Sequence, residues 1–276
     1  MKVNNKTIVV TGAGSGMGRE LTLQLIKKGA RVAMVDINTQ GMTETASLGG
    51  GLNVSSHEID ISNRTSVEKL PESVVKIHGN IDGIINNAGI IQPFVDVKDL
   101  DYDKIERIIN VNFYGTLYMT KSFLPHLLNR PEAHIANVSS MGGFIPFPGQ
   151  TFYGASKAAV KLFTEGLYAE LRNTNVGVTV IHPGAINTNI MSNSGIKTKA
   201  EEAESKKSQG KLALSAEKAA AVMIDAIEKN RFRVVIGKDA LILDILYRIH
   251  PQRAVNFIVK KMSKMHQKTE SNNSNY

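Results

Sequence analysis

The chain has 276 residues, 42% hydrophobic and 21% charged, with 23 Gly and 8 Pro, which excludes fibrous, low-complexity and wholly disordered classes. It has no cysteine, which rules out disulfide scaffolds, thiolate-bound metals and thiol catalysis, and agrees with a reducing cytoplasm. The net charge is +8, but residues 1–196 carry 17 basic and 16 acidic side chains, while the last 48 residues carry ten and three. A nucleic-acid binder with a basic body is not what this distribution describes.

In chain order, the apolar run Ile8-Val9-Val10 is too short for a signal segment, and no stretch reaches the ~18 apolar residues of a membrane span. Thr7–Thr11 predicts a first strand, and Gly16–Lys28, with Leu21, Leu25 and Ile26 on one face, a helix ended by Gly29. Arg31–Asp36 predicts the second strand, Ile59–Asp60 the close of a third, and Ile81–Asn86 a fourth. Ala133–Ser139 and Val176–His182 predict a fifth and a sixth, with helix-period segments near 62–78, 102–129 and 150–173 between them. Such alternation means an α/β fold: a doubly wound, Rossmann-type parallel sheet covered on both faces. Residues 1–237 read as one domain with a polar, lysine-rich stretch at 190–215, followed by an amphipathic basic helical extension at 238–266 and a disordered tail at 267–276.

Thr11-Gly12-Ala13-Gly14-Ser15-Gly16-Met17-Gly18 lies where the first strand turns into the first helix. Glycines there let backbone approach a pyrophosphate at the N-terminus of a helix whose dipole favours anions. Asp36 ends the second strand 24 residues after Gly12, where a carboxylate accepts hydrogen bonds from a ribose diol and repels a 2′-phosphate. No Arg or Lys stands at 13–15 or 37–38, so the pattern favours NAD over NADP.

Tyr153 and Lys157 are four apart on one helical face, where an ammonium can lower a phenol's pKa from ~10. Ser140 follows the fifth strand, where a hydroxyl can bind a substrate oxygen, and Asn112 sits in a polar cluster within an otherwise apolar helix. Each alone is equally at home as a cap or a surface polar group; the order and company distinguish them.

With these residues in view, the sequence resembles the classical short-chain dehydrogenases/reductases, closely over about residues 5–190 and loosely over 190–237. Gly12, Ser15, Gly16, Met17 and Gly18 fall on the family's cofactor turn, with Met17 where Ile is commoner. Asp60-Ile61 is similar to its adenine-contacting pair, and Asn86-Asn87-Ala88-Gly89 to the segment that steadies the sheet and lines the adenosine ribose. Pro183-Gly184-Ala185-Ile186-Asn187-Thr188 is similar to the segment that holds the nicotinamide carboxamide, which brings Ile186 and Thr188 into the cofactor set. Asn112, Ser140, Tyr153 and Lys157 fall on its catalytic tetrad, Tyr153 and Lys157 also touching the cofactor.

The resemblance implies an NAD(P)-dependent oxidoreductase interconverting an alcohol and a carbonyl, without a metal. Tyr153 would exchange the proton, Lys157 lower its pKa and hold the nicotinamide ribose, Ser140 orient the substrate oxygen, and Asn112 hold a relaying water. It also implies that 1–237 is the catalytic domain with a substrate lid at about 190–215, and that the protein is a homodimer or homotetramer. An NADPH-dependent carbonyl or 3-oxoacyl-thioester reductase is the alternative; a non-catalytic cofactor sensor fits poorly, since Tyr153 and Lys157 are both present. Phe94, Phe144, Phe147, Phe152 and Met191 are candidates to line a pocket for an apolar small-molecule substrate. The basic, apolar stretch 239–265 breaks at His250-Pro251 and reads as a pocket cover, a subunit interface or a peripheral membrane contact.

Overall fold

The computed structural model describes residues 1–51, 53–196 and 213–273, with side chains as far as 263. Strands β1 (Thr7–Thr11), β2 (Arg31–Asp36), β3 (Val54–Glu58), β4 (Gly83–Asn86), β5 (Ala133–Val138), β6 (Val176–Pro183) and β9 (Arg233–Ile236) form one sheet. The order is β3-β2-β1-β4-β5-β6-β9 and every pairing is parallel. Its central strands are buried end to end, as β1 (TIVVT) and β5 (AHIANV) show, because helices cover both faces. A two-stranded pair, β7 (Ile186–Asn187) with β8 (Leu214–Ser215), stands beside it.

On one face α1 (Gly16–Lys27), α2 (Thr39–Leu48) and α8 (Ala216–Glu228) enclose a core with Leu21, Leu25, Met42, Met223 and Ile224. On the other, α3 (Arg64–His78), α5 (Gly115–Leu128) and α6 (Thr151–Glu170) enclose Val67, Val74, Met119, Phe123 and Leu167. The chain reverses direction across the sheet between β1 and β4, and such a sheet opens its ligand crevice at the carboxyl ends of those strands.

The structure departs from the sequence reading in several places. The third strand is Val54–Glu58, so Ile59 and Asp60 lie past its end, not within it. The expected single helix over 102–129 is α4 (Tyr102–Ile109), a π turn at Asn110–Tyr114, and then α5. Helices α2 and α8 and strand β9 had no expectation at all. Short α7 (Ile190–Asn193) begins the expected lid, most of which, 197–212, falls outside the described residues. The break at His250-Pro251 is real: α9 (Lys238–Ile249) ends there and α10 begins, but α10 runs Pro251–Asn273. The tail expected to be disordered from 267 is therefore helical to Asn273, and 274–276 fall outside the described residues.

The two C-terminal helices pack on the protein. Leu243, Ala254 and Ile258 are buried with Ile145, and Met141, Phe144, Phe147, Leu246 and Tyr247 close around them. Phe144 and Phe147, expected in a substrate pocket, are thus occupied in joining the loop after Ser140 to α9 and α10.

Candidate active site

The cofactor side is built from backbone. Gly12 turns the chain at φ +71, a conformation that L side chains avoid, and its N–H donates to the Val35 carbonyl at 2.8 Å. A Cβ there would lie 3.0 Å from Asn87 Nδ2, and one on Gly18 would run into the Gly12 carbonyl oxygen. Ser15 is the extended N-cap of α1 but makes no side-chain cap bond, so its hydroxyl leaves the first N–H groups of the helix to another acceptor. Asp36 braces the turn, its carboxylate accepting from Gly14 N at 2.8 Å and Asn38 N at 2.9 Å. Arg19, absent from the sequence reading, ties this turn to α2: its guanidinium donates to the Gly14 carbonyl at 2.8 Å and pairs with Glu44 at 2.8 Å.

Above the turn opens a cavity of about 600 Å³, within the ordinary range for a small-molecule or cofactor site. Of the residues expected to hold a dinucleotide, Gly12, Ser15, Gly16, Met17, Asp36, Asp60, Ile61, Asn87, Ala88, Gly89 and Thr188 line it. Gly18 is buried beneath it, and Ile186 is half-buried against the core behind, so neither lines the cavity. Ile37, Arg107, Val111, Ile190 and Asn193 line it too and were not expected; nothing in their local sequence marks them, since they converge only through the fold. A glycine cradle closed to a Cβ at Gly18 and left-handed at Gly12 and Gly16, uncapped helix N–H groups and a carboxylate at the second strand's end suit a pyrophosphate and a ribose.

The reaction side is built from buried side chains. A Cβ placed on Gly89, at the edge of the cavity, would lie 3.0 Å from Lys157 Nζ and 3.2 Å from Asn112 Oδ1; one on Gly142 would lie 3.4 Å from the Tyr153 ring and 3.5 Å from Ser140 Oγ. The four expected catalytic residues thus stand as two pairs, Lys157 with Asn112 beside Gly89 and Tyr153 with Ser140 beside Gly142; none of the four lines the cavity, including Tyr153 and Lys157, which were also expected to touch the cofactor. Burial lifts the Tyr153 phenol above the usual tyrosine range, against a hydrogen bond with the Ser140 hydroxyl that pulls it back. Burial also pushes Lys157 down to about 8, and its Nζ donates to the Val138 carbonyl at 3.0 Å. The expected charge partnership of Lys157 with Tyr153 is not among the influences on the phenol, because the ammonium is turned to that carbonyl.

The π turn gives Asn112 its place. Asn112 is fully buried, and its amide clasps Ile90 from both sides: Oδ1 accepts from Ile90 N at 2.9 Å and Nδ2 donates to Ile90 O at 2.9 Å. Nδ2 also donates to Ser156 Oγ at 2.9 Å, and Ser156 Oγ donates to the Tyr153 carbonyl at 2.7 Å. The side chain expected to hold a water is instead committed to a clasp that spends both of its N–H groups.

Ser140 is fixed from behind by His182. The His182 Nδ1 donates to the Ser140 carbonyl at 3.1 Å, and burial pushes this imidazole down to about 4, so it is neutral near pH 7. Its ring meets Phe144 edge-on at 5.4 Å, Arg233 lies over Phe144 at 5.7 Å, and Asp244 of α9 holds that guanidinium with two bonds of 2.9 Å. Phe94 is 47% exposed, so it does not contribute to a buried pocket wall.

The short chain dehydrogenase family model matches residues 6–199, and the chain belongs to that family, a class of NAD(P)-dependent oxidoreductases. Among its relatives is "Putative oxidoreductase SadH" of Mycobacterium tuberculosis, 38% identical over 250 residues, spanning 88% of this chain and 90% of that protein. A short-chain dehydrogenase/reductase of Burkholderia phymatum in complex with NAD superposes with a TM-score of 0.83 at 24% identity, covering 91% of this chain and 96% of the other. A short-chain dehydrogenase of Burkholderia cenocepacia J2315 in complex with NADP superposes with a TM-score of 0.79 at 26% identity, covering 94% and 99%.

Proposed function

We propose that this protein interconverts a secondary or primary alcohol and its carbonyl compound, with Tyr153 as the acid–base group and NAD as the preferred cofactor. The observation that carries the reading is a dinucleotide-sized cavity bounded by Gly89, beside which Lys157 and Asn112 stand, with Asn112 linked through Ser156 to the main chain of Tyr153, whose phenol is hydrogen-bonded to Ser140. When bound, the nicotinamide cofactor supplies or takes up the hydride. Gly12, Gly16, Asp36 and Asn87 would hold it; the remaining work belongs to side chains of the chain itself. Ser140 aims the substrate oxygen; in the reducing direction the Tyr153 phenol hands that oxygen its proton and becomes phenolate, and in the oxidising direction the phenolate receives the alcohol proton and becomes phenol, a step generally worth ~10²–10⁴-fold. Lys157 carries the positive charge at the turn of the site and favours the phenolate whenever it leaves the Val138 carbonyl.

The preference for NAD rests on Asp36, whose carboxylate lines the cavity, and on Arg19, the cation nearest the turn, which Glu44 already neutralises. Kinetics with NAD and NADP side by side check it: Asp36→Ala combined with Ile37→Arg should move the kcat/KM ratio toward NADP, and a wild type that already prefers NADP overturns it. The NADPH-dependent carbonyl or 3-oxoacyl-thioester reductase alternative has Arg107 in its favour, a cation that also lines the cavity. Oxidation of primary and secondary alcohols of rising chain length, with either cofactor, decides between them and tests the expectation of an apolar substrate.

The outer faces of α4, the π turn, α5 and α6 keep Tyr102, Tyr114, Leu128, Leu162 and Tyr168 exposed, which supports assembly as a homodimer or homotetramer. On α9, Leu241, Ile242, Ile245 and Ile249 form an outward stripe beside Lys238 and Arg248, which supports peripheral contact with an anionic lipid surface. Light scattering checks the first and sedimentation with anionic liposomes the second. Among the described residues no helix is long and apolar enough to cross a membrane, and we place the enzyme in the cytoplasm in keeping with its cysteine-free sequence.

A further inference from the structure

Helix α6 carries Tyr153 as its third residue, so whatever fixes the first turn of that helix fixes the phenol. The helix does not cap itself. Gln150 stands at the N-cap with φ −128 and ψ 31 and makes no side-chain cap bond, which leaves the N–H groups of the first turn in need of an acceptor. Gln92, sixty residues earlier in the chain, supplies it. Its Oε1 accepts from Phe152 N at 2.9 Å and from Tyr153 N at 3.0 Å. Its Nε2 donates to the Gly149 carbonyl at 2.9 Å, and its own carbonyl accepts from Gln150 Nε2 at 2.7 Å. Gln92 is 1% exposed, so these bonds are made out of reach of competing water.

The segment that ends in Gln92 begins at the cofactor cavity. Gly89 lines the cavity beside Lys157, Ile90 is clasped by Asn112, and Ile91 N donates to Ser194 Oγ at 3.0 Å just past α7. Four consecutive residues thus run from the cavity edge to the start of the catalytic helix, each held in place. The loop 144–150 that leads into α6 packs instead toward the C-terminal helices through Phe144 and Phe147. Left to that loop, the height of Tyr153 would follow the substrate side. Held by Gln92, it follows the cofactor side.

We propose that Gln92 is a positioning residue of the reaction: its side-chain amide caps α6 and sets Tyr153 against the cofactor cavity. The inference rests on Tyr153 being the acid–base group. A neutral amide is the group the place requires. One end must accept from two N–H groups and the other must donate to a carbonyl, which neither a carboxylate nor an ammonium can do. A carboxylate would keep the acceptor end, turn the other end against the Gly149 carbonyl and set a negative charge against the main chain of Tyr153.

The full-length protein is compared as wild type, Gln92→Glu, Gln92→Met and Tyr153→Phe. Phenolate formation is followed by near-ultraviolet absorbance, with the Tyr153→Phe titration subtracted to isolate Tyr153. NAD binding is measured by calorimetry, and turnover on the alcohol of the chain-length series that reacts best. Gln92→Glu should raise the Tyr153 midpoint by about one pH unit, the effect of a nearby like charge, and move the pH profile of kcat with it. Gln92→Met, of similar length but without an acceptor, should lower kcat about tenfold or more with NAD affinity unchanged. Gln92→Glu keeps the volume and the cap acceptor and carries the test alone if the methionine variant does not fold. Folded Gln92 variants that keep the wild-type midpoint and kcat, beside an inactive Tyr153→Phe, overturn the positioning role and leave the acid–base reading intact. An active Tyr153→Phe overturns the acid–base reading itself.

Discussion

The two halves of the site are made of different material. The cofactor half is glycine and main chain: the turn from Thr11 to Gly18 shapes its cavity by what it lacks, and one added carbon at Gly18 collides with the Gly12 carbonyl. The reaction half is a set of buried polar side chains, in which Asn112 bonds to the Ile90 main chain and the Ser156 hydroxyl, while Ser156 and Gln92 both bond to the main chain of Tyr153. A surface shaped by absence fails by steric intrusion, which weakens binding. A set shaped by mutual hydrogen bonds fails by loss of one member, which stops chemistry while binding persists.

The sharpest separation of the halves comes from Tyr153→Phe, which removes a single hydroxyl. Turnover should fall at least about a hundredfold with NAD affinity nearly intact, as read by steady-state kinetics and calorimetry. Retained turnover removes Tyr153 from the chemistry. Gly18→Ala is the mirror experiment. The forced shift of the turn should weaken NAD binding about tenfold or more and cost about 1–3 kcal/mol of stability, leaving the reaction half assembled. Unchanged NAD affinity would show that the turn yields more easily than its contacts imply.

Asp244→Ala probes the C-terminal helices that back the reaction half. It strips Arg233 of two 2.9 Å bonds and frees the guanidinium above Phe144, whose ring supports His182 and, through it, the Ser140 carbonyl. Thermal denaturation should register a loss of about 2 kcal/mol, and KM for the longer alcohols should rise while KM for NAD stays put. Equal effects on both KM values would mean that α9 supports the whole molecule and not one half.

Lys157→Met reads the smallest effect, through pH. Burial lowers the folded pKa of Lys157 to about 8, whereas the unfolded chain holds that proton up to about 10.4. Between these values the unfolded state binds more protons, so the wild type gains stability relative to the variant as pH rises from about 8 to above 10. Below pH 8 the difference should be flat. Denaturant titrations at several pH values give the comparison directly, and a constant difference throughout would mean that the ammonium is better solvated than its surroundings suggest.

The cofactor half was the more legible in sequence, for a physical reason. Its motif is local: strand, glycine turn and helix follow one another, and Asp36 comes at the end of the next strand, so spacing alone carries the geometry. The tetrad was read residue by residue, and the fold brings its members together as two pairs, Lys157 with Asn112 and Tyr153 with Ser140. Their partners were not found, because Gln92 reaches Tyr153 across 61 positions and nothing near Gln92 in the chain marks it as a cap for α6. Phe144 and Phe147 failed similarly: aromatic residues close to Ser140 read as a pocket wall, but α9 and α10, a hundred residues onward, had the stronger claim on them. Helix α8, rich in alanine and buried along Ala219, Ala220, Met223 and Ile227, was passed over beside a polar lysine-rich stretch that drew the reading toward a lid.

The π turn at Asn110–Tyr114 has a consequence for how this chain can change length. A π turn holds one residue more than a regular turn, so the two flanking helices are out of phase by one residue's rotation, about 100°. Ile108 in α4 faces the interior on one setting, and Gly115, Met119, Phe123 and Leu127 in α5 face it on the other. Thr116 restores part of the broken ladder by donating its hydroxyl to the Asn112 carbonyl at 2.8 Å. Delete one residue here and a straight helix results, in which either the buried row of α5 or the clasp on Ile90 swings out of register. The surplus residue works as a gear between two incommensurate demands, and a shortened chain could satisfy only one of them.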